Sequence, residues 1–245
     1  MGRMAGARGV RRMLGAGLST AAAAHILPAG TWLPPVRRVC APSLCGPGAA
    51  DHLALTFDDG PDAASTPYFL DALDRVGVRA TFFCVGEQVR SHPRVARAAA
   101  ERGHEIACHG WRHRNQLLRP GPVGAELRAA RDLITDVTGR PPRWYRPPYG
   151  VLTGQGALAA RRARLTPVLW SAWAKDWTAG VTAGDVLRVV EPGLRGGATV
   201  LLHDTDTYAQ PDSWRATLAA LPRIVGACRA QGLRVGPLGE HAAGA

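Results

Sequence analysis

LALTFDDGPD, residues 53–62, is a short run of apolar and β-branched residues that stops at two adjacent carboxylates and a Gly-Pro turn. Its first half is typical of a β-strand. The next stretch, TPYFLDALDRVG (66–77), places its apolar residues on one helical face and ends in Gly77. A strand followed by an amphipathic helix is therefore the first predicted unit of the fold.

This alternation continues along the chain. Further strands are expected at 79–86, 104–110, 143–150, 165–173, 198–204 and 233–238, and further helices at 92–103, 122–139, 155–163, 183–195 and 213–231. Alternating strands and helices predict a parallel sheet. About seven such units, without the glycine fingerprint of a doubly wound sheet, favour a barrel. The predicted fold class is α/β, a distorted (β/α) barrel with about seven parallel strands.

The composition changes near residue 50, which divides the chain into a segment at 1–50 and a domain at 51–240. Residues 1–50 are rich in Arg, Ala and Pro and contain six arginines but no Asp or Glu. Residues 13–36 are uncharged and follow four of those arginines, as in a signal peptide or membrane anchor. The prolines in this stretch also suit a linker. We expect a signal-like, anchor or linker segment with possible membrane association.

The charge and composition indicate the class of protein and bear on its partners. Hydrophobic residues make up 46% and charged residues 20%, as in a soluble globular domain. The net charge is +11, and Lys175 is the only lysine. A uniform preference for arginine, with abundant Ala and Gly, favours codon bias as the cause; an anionic partner such as a cell-wall polymer, a membrane surface or a nucleic acid is the alternative. No nucleic-acid-binding motif is present, so no nucleic-acid partner is expected.

Polar residues follow the predicted strands at the positions where a barrel carries its chemistry, just after the strand C-termini. These residues are Asp58, Asp59, His109, Arg146, Asp176 and His203. Because five separate strand ends would meet on one rim, the sequence predicts a site there.

HGWRH (109–113) contains two histidines at positions i and i+4. On one helical turn His109 and His113 would face the same side and could bind one metal ion. With Asp59 they would form a set of two imidazoles and one carboxylate that leaves positions open for water and substrate. Such a set suits Zn²⁺ or another divalent first-row metal. A solvated turn and a pair of surface histidines are the alternative interpretation.

Five motifs together resemble the polysaccharide deacetylases of carbohydrate esterase family 4, which include chitin and peptidoglycan deacetylases. They are TFDDGPD (56–62), HGWRH (109–113), RPPYG (146–150), KDW (175–177) and LLHD (201–204). Their order and spacing resemble the family over about residues 51–240. The resemblance implies metal-dependent hydrolysis of N-acetyl groups on a polysaccharide, with release of acetate.

The same resemblance implies roles for the residues nearest the reaction. Asp58 would be the general base that takes a proton from the attacking water. Asp59, His109 and His113 would hold the metal. Arg146 would pair with Asp58 and orient it.

The resemblance also implies a leaving-group acid and a binding pocket. Asp176 would orient His203, which would protonate the leaving amine. The backbone N–H of Tyr149 would help to bind the oxyanion. Trp177 and Leu201 would form walls of the pocket for the acetyl methyl group.

The sequence departs from the family pattern near the site. Gly110 replaces the usual Ser or Thr, Cys108 replaces the usual Asn, and Trp173 stands where an earlier Asp is usual. None of these changes removes a proposed ligand or acid–base residue. They are expected to affect loop geometry and substrate choice.

The remaining histidines and tryptophans are expected to be structural. We expect solvated side chains at His25, His52, His92 and His241, and a packed His104 beneath the metal loop. Most tryptophans are expected in the core. Trp111 and Trp173 are the best candidates for stacking against a sugar.

Two other functions are compatible with these residues. One is metal-dependent hydrolysis of small cyclic amides or imides at the same site. The other is a non-catalytic wall-binding domain with a vestigial site. Because the implied ligands and acid–base residues are intact, an N-acetylated glycan such as peptidoglycan or a chitin-like polymer, met outside the cytoplasm, is the expected substrate.

Overall fold

The computed structural model describes residues 22–118 and 121–242, and in them eight strands form one parallel sheet. The strands are β1 His52–Asp58, β2 Thr81–Cys84, β3 Glu105–Cys108, β4 Trp144–Tyr145, β5 Thr166–Pro167, β6 Ala172–Trp173, β7 Thr199–His203 and β8 Arg234–Gly236. Their order is β5-β4-β3-β2-β1-β7-β6, and β8 pairs with the first half of β1. The central strand β1 therefore contacts three others.

Helices connect the strands. They are α1 Pro34–Cys40, α2 Thr66–Val76, α3 Gly86–Ser91, α4 Pro93–Glu101, α5 Val123–Thr138, α6 Gly154–Arg162, α7 Ala183–Val190, α8 Ser213–Ala230 and α9 Leu238–Ala242. Short 3-10 helices lie at Leu27–Trp32, Pro42–Cys45, Pro148–Gly150 and Glu191–Gly193, and residues 22–26 are helical. None of the helices in the described ranges is long and apolar enough to cross a membrane. The first 21 residues, which include part of the predicted signal-like stretch, lie outside the description.

The predicted distorted (β/α) barrel is confirmed, with one predicted strand divided in two. The run at 165–173 forms both β5 and β6 because its middle turns away from the sheet. There the N–H of Leu169 donates to the carbonyl of Leu44 at 2.7 Å. Since β5 and β6 are the two ends of the strand order, the chain itself crosses the gap in the barrel. Helices α1, α3 and α9 were not predicted.

The two faces of β1 explain how the sequence positions the site. All seven residues of β1 are buried. Leu53, Leu55 and Phe57 pack toward the helices, and the Phe57 and Phe69 rings lie 5.3 Å apart. Side chains alternate along a strand, so Thr56 and Asp58 lie on the opposite face. Asp58 is thus held inside the barrel at the strand's C-terminal end.

Two histidines that were expected to be solvated are buried, so that prediction was wrong. His52 and His241 are 0% exposed, and their Nδ1 atoms lie 2.9 Å apart. His241 Nε2 also lies 3.1 Å from the carbonyl oxygen of Gly46. The cause is tertiary: α9 closes over the start of β1, a contact between residues 189 positions apart. Burial first, and then the neighbouring His241, lowers the pKa of His52 from 6.5 to about 4.

This buried pair predicts acid sensitivity of the fold. The unfolded chain binds a proton at His52 near pH 6.5, whereas the folded chain does so only near pH 4. The free energy of unfolding should therefore fall as the pH drops from 6.5 to 4, by on the order of 1–3 kcal/mol from this residue. Urea unfolding at pH 7 and pH 4.5 measures it. His52→Gln should lose less stability over this interval than the wild type, and equal losses would contradict the assignment.

Candidate active site

The predicted rim residues meet around one cleft of about 380 Å³ at the C-terminal ends of the strands. Asp58 ends β1, His203 ends β7, and Asp59 and His109 follow β1 and β3 directly. Arg146 contacts Asp58 and Asp176 contacts His203. These two supporting residues are 0% and 1% exposed. The cleft is also lined by Tyr149, Trp177 and Leu201. Every side chain assigned to the site from the sequence therefore lies in or next to this cleft.

Asp58 is paired with a buried arginine. Nη1 of Arg146 donates to Asp58 Oδ1 at 2.6 Å and to the hydroxyl of Thr56 at 2.8 Å, while Nη2 donates to the carbonyl of Leu169 at 2.7 Å. The guanidinium carbon lies 4.0 Å from the centre of the Phe83 ring. Burial lowers the pKa of Arg146, and Asp58 opposes that shift. The pair keeps one carboxylate oxygen fixed and leaves Oδ2 directed toward His109, 3.8 Å away.

Asp59 has entirely different partners. Its Oδ1 lies 3.4 Å from His109 Nε2 and 3.2 Å from His113 Nε2, and its Oδ2 lies 3.9 Å from His203 Nε2. Burial acts to raise the pKa of Asp59, but the neighbouring imidazoles of His109, His113 and His203 hold it well below its usual range. The backbone of Asp59 has φ 81°, a left-handed conformation that directs its side chain away from that of Asp58.

The donor set around Asp59 fits a divalent metal ion. Asp59, His109 and His113 each offer one ligand atom, and these atoms lie within 4.8 Å of one another. Asp59 Oδ1 is buried without a hydrogen-bond partner. His109 Nδ1 donates to the carbonyl of Arg146 at 2.7 Å, which leaves the lone pair of Nε2 facing Asp59. Burial lowers the pKa of His113 to about 4, so its imidazole is neutral, as a metal ligand must be.

The expected helical turn at HGWRH is wrong: residues 109–113 form a loop. Gly110 has φ 88°, which reverses the chain and brings the two histidines to the same point. The start of α3 holds this loop, since the N–H of Gly86 donates to the carbonyl of Gly110 at 2.9 Å and that of Glu87 to Trp111 at 3.0 Å. Helix α3 thus anchors the loop that carries the two histidines through backbone hydrogen bonds.

His203 is held as a cation by Asp176. Its Nδ1 lies 2.9 Å from Asp176 Oδ1, and Asp176 Oδ2 accepts from the His203 backbone N–H and the Thr217 hydroxyl, each at 2.8 Å. Burial acts to lower the pKa of His203, but Asp176, with Asp59 and Asp58, outweighs it and raises the pKa to about 10. The imidazolium therefore keeps a proton on Nε2, which faces the cleft, at neutral pH.

Aromatic side chains form the walls of the cleft. Trp177 meets the His203 ring edge-on at 5.4 Å, and Trp173 stacks on Trp170 at 5.8 Å. Tyr149 is half exposed and lies 4.4 Å from the ring of His113. Trp173 thus lies where a sugar could stack against it. Trp111, the other candidate, packs outside this cleft.

Sequence reasoning missed several residues in or next to the site. The Tyr208 ring stacks on His113 at 4.4 Å, and its hydroxyl accepts from Gln88 Nε2 at 3.1 Å. Asp204 is buried beneath Gly60, where a Cβ would lie 2.5 Å from its carboxylate. The position of both after the end of β7 was a usable signal. Trp32 also lines the cleft, but it belongs to the segment assigned to a signal, anchor or linker.

A model of the polysaccharide deacetylase family matches residues 46–168. The chain belongs to this family. One relative is the peptidoglycan-N-acetylglucosamine deacetylase PgdA of Listeria monocytogenes, which is 37% identical to this chain over 155 residues. That match covers 62% of the chain but 32% of PgdA, so the chain spans about a third of that relative. The chitooligosaccharide deacetylase of Bradyrhizobium sp. is 34% identical, covering 75% of the chain and 87% of the relative.

Solved structures of family members have the same fold. The Bc1960 peptidoglycan N-acetylglucosamine deacetylase, in complex with a hydroxamate-type benzamide, superposes with a TM-score of 0.73 at 28% identity, over 81% of this chain and 92% of that one. BA3943 of Bacillus anthracis, described as a family 4 pseudoenzyme, gives a TM-score of 0.69 at 25% identity, over 78% and 65% of the two chains. Because the fold is shared with a pseudoenzyme, the side chains of the site carry the functional argument.

The site predicts that His113→Ala weakens binding of a divalent metal by more than about 100-fold. Losing a ligand costs more than losing a hydrogen-bond partner of a ligand, for which 10–100-fold is typical. Metal content after dialysis against zinc, measured by mass spectrometry, should be close to one ion per wild-type chain and close to none in the variant. His92→Ala, half-buried at the start of α4, is the control and should keep one ion. A full complement of metal in His113→Ala would refute the ligand set.

Proposed function

We propose that this deacetylase-family chain hydrolyses N-acetyl groups on peptidoglycan or a chitin-like glycan, releasing acetate and requiring a divalent metal such as Zn²⁺. The observation that carries the proposal is that two buried, adjacent carboxylates have different partners. Asp58 is bound to Arg146, whereas Asp59 faces His109 and His113. The names of the Listeria and Bradyrhizobium relatives support the reaction and the class of substrate.

The proposed reaction begins at Asp58. An ion held by Asp59, His109 and His113 would polarise the acetyl carbonyl and make a nearby water more acidic. Asp58 Oδ2 is free of the arginine and accepts a proton from the attacking water as the oxygen–carbon bond forms. Arg146 keeps Oδ1 in place, so that Oδ2 stays directed toward the cleft.

His203 completes the reaction from the other side of Asp59. Breaking the carbon–nitrogen bond of an amide requires a proton on the leaving nitrogen, since an amide anion is a very poor leaving group. His203 Nε2 gives that proton as the bond breaks, and Asp176 stabilises the imidazolium until then. The products are acetate and a free amine on the sugar.

The shape of the cleft supports an acetylated sugar as substrate. Leu201 is buried beside His203, and Trp177 lies edge-on to the same imidazole. These apolar surfaces suit the acetyl methyl group. Tyr149 and Trp173 present further aromatic surface, which suits the apolar faces of a pyranose ring.

We also propose that the substrate is met outside the cytoplasm. The proposal is supported by the uncharged stretch after four arginines in residues 1–36 and by the excess of arginine, which favours approach to an anionic cell wall. Cell fractionation with an antibody to the chain tests this. Recovery wholly in the cytosol would contradict it.

Because Asp58 is the proposed base and Asp59 the proposed ligand, we expect Asp58→Asn to keep its metal and to lose activity by on the order of 10²–10⁴-fold. The amide has nearly the same shape but cannot accept the proton. Acetate release from chitin oligomers, with metal content measured on the same sample, separates the two effects. Asp71→Asn, an exposed carboxylate bound to Arg102, is the matched control and should be fully active. Wild-type rates for Asp58→Asn would show that the base is assigned wrongly.

His203→Ala is expected to lose activity by a similar factor because the leaving nitrogen then lacks its proton donor. The double variant, Asp58→Asn with His203→Ala, should lose less than the product of the two single losses, since both residues serve one reaction path. Rate constants for the four proteins test the coupling. A fully multiplicative loss would indicate that the residues act independently.

A panel of substrates tests the proposed function itself. Wild-type protein with zinc is expected to release acetate from chitin oligomers or peptidoglycan, and not to open small cyclic amides or imides. Turnover of cyclic amides alone would favour that other hydrolase activity. Stoichiometric zinc without turnover of any compound would indicate a vestigial wall-binding site.

A further inference from the structure

Residues 22–45 pack against the barrel next to the cleft. Leu44 accepts a hydrogen bond from Leu169 N–H at 2.7 Å, and nearby Gly46 accepts one from the Thr199 hydroxyl at 2.8 Å. At the other end, α6 begins so close to the segment that a Cβ on Gly154 would lie 2.2 Å from the carbonyl oxygen of Ala24. The segment is therefore held to the barrel at both ends.

A buried arginine fixes the middle of this segment. Arg37 is 3% exposed, and its Nη1 donates to the carbonyls of Thr31 at 3.0 Å and Trp32 at 3.4 Å. The guanidinium carbon lies 5.4 Å from the centre of the Trp170 ring. Trp170 in turn packs beneath Gly150, where a Cβ would lie 2.6 Å from the ring. The backbone that carries Trp32 is thus tied, through Arg37, to the wall of the cleft.

Trp32 itself lines the cleft and is 45% exposed. In the described part of the chain, its ring stacks on no other aromatic ring, whereas Trp173 and Trp177 contact each other and Trp177 contacts His203. An aromatic ring that lines a cleft of this size is typical of a ligand contact. Because Trp177 and His203 already surround the reacting group, Trp32 is available to a different part of the substrate.

We propose that Trp32 forms an additional sugar-binding wall, which holds a unit of the glycan chain next to the one that is deacetylated. The inference rests on the proposed function. A pyranose has hydroxyl groups at its rim and apolar C–H faces, and such a face packs well on an indole ring. Arg37 is a positioning residue that keeps this indole at the cleft. The cleft therefore prefers a chain of several N-acetylated sugars over a single sugar.

The test compares a tetramer of N-acetylglucosamine with the single sugar. The ratio of kcat/KM for the tetramer to that for the monomer should fall on the order of tenfold in Trp32→Ala, mostly through KM for the tetramer. Trp32→Phe should keep most of the ratio. Val39→Ala, in the same segment and 81% exposed, is the control and should match the wild type. Thermal unfolding checks that each variant is folded.

Binding of the tetramer, measured by isothermal titration calorimetry, separates this inference from the proposed function. If the wild type is active and Trp32→Ala keeps the full preference for the tetramer, the inference is overturned while the proposed function stands. If the wild type releases no acetate, the proposed function fails, and the binding arm decides the inference. Weaker binding by Trp32→Ala then supports the Trp32 wall, and equal binding, or none by the wild type, overturns it.

Discussion

Two adjacent carboxylates buried at the end of the central strand are the constraint on which the site depends. Asp58 and Asp59 are each 3% exposed, and two neighbouring negative charges are costly in such an environment unless cations accompany them. The fold meets this requirement with Arg146 beside Asp58 and the His203 imidazolium beside Asp59, where His109 and His113 could also hold a metal ion. Because β1 lies between β2 and β7, with β3 and β4 beyond β2, those partners arrive from neighbouring strand ends. The barrel thus positions the side chains that stabilise the two carboxylates.

Backbone strain at the rim separates the partners of the two carboxylates. Asp59, Gly110 and Tyr149 have φ values of 81°, 88° and 59°, and two of them are not glycine. Left-handed residues of this kind cost free energy and persist where the surrounding structure holds them. Here the hydrogen bonds from α3 hold the Gly110 loop, and the turn after β1 directs Asp59 away from Arg146. An arginine-bound carboxylate and a carboxylate that faces imidazoles are thereby built from consecutive residues without competing for the same cation.

Much of this arrangement could be predicted from the sequence because its signals are local. Strand–helix alternation predicted the barrel, and the rule that barrels act at strand ends placed Asp58, His109, Arg146 and His203 on one rim. The predictions that failed concern features set by long-range contacts or by backbone conformation. Histidines four residues apart can meet on a helix or on a loop, and spacing does not distinguish the two. The burial of His52 depends on α9 at the far end of the chain, and the place of Trp32 depends on Arg37 reaching Trp170.

We assign metal binding to Asp59 and the proton transfer to Asp58. Anomalous diffraction from zinc-soaked crystals, recorded at the zinc absorption edge, tests this assignment most directly. We expect one strong peak within about 2.3 Å of Asp59 Oδ1, His109 Nε2 and His113 Nε2, with Asp58 still bound to Arg146. A peak coordinated by Asp58, or zinc bound only elsewhere on the protein, would contradict it.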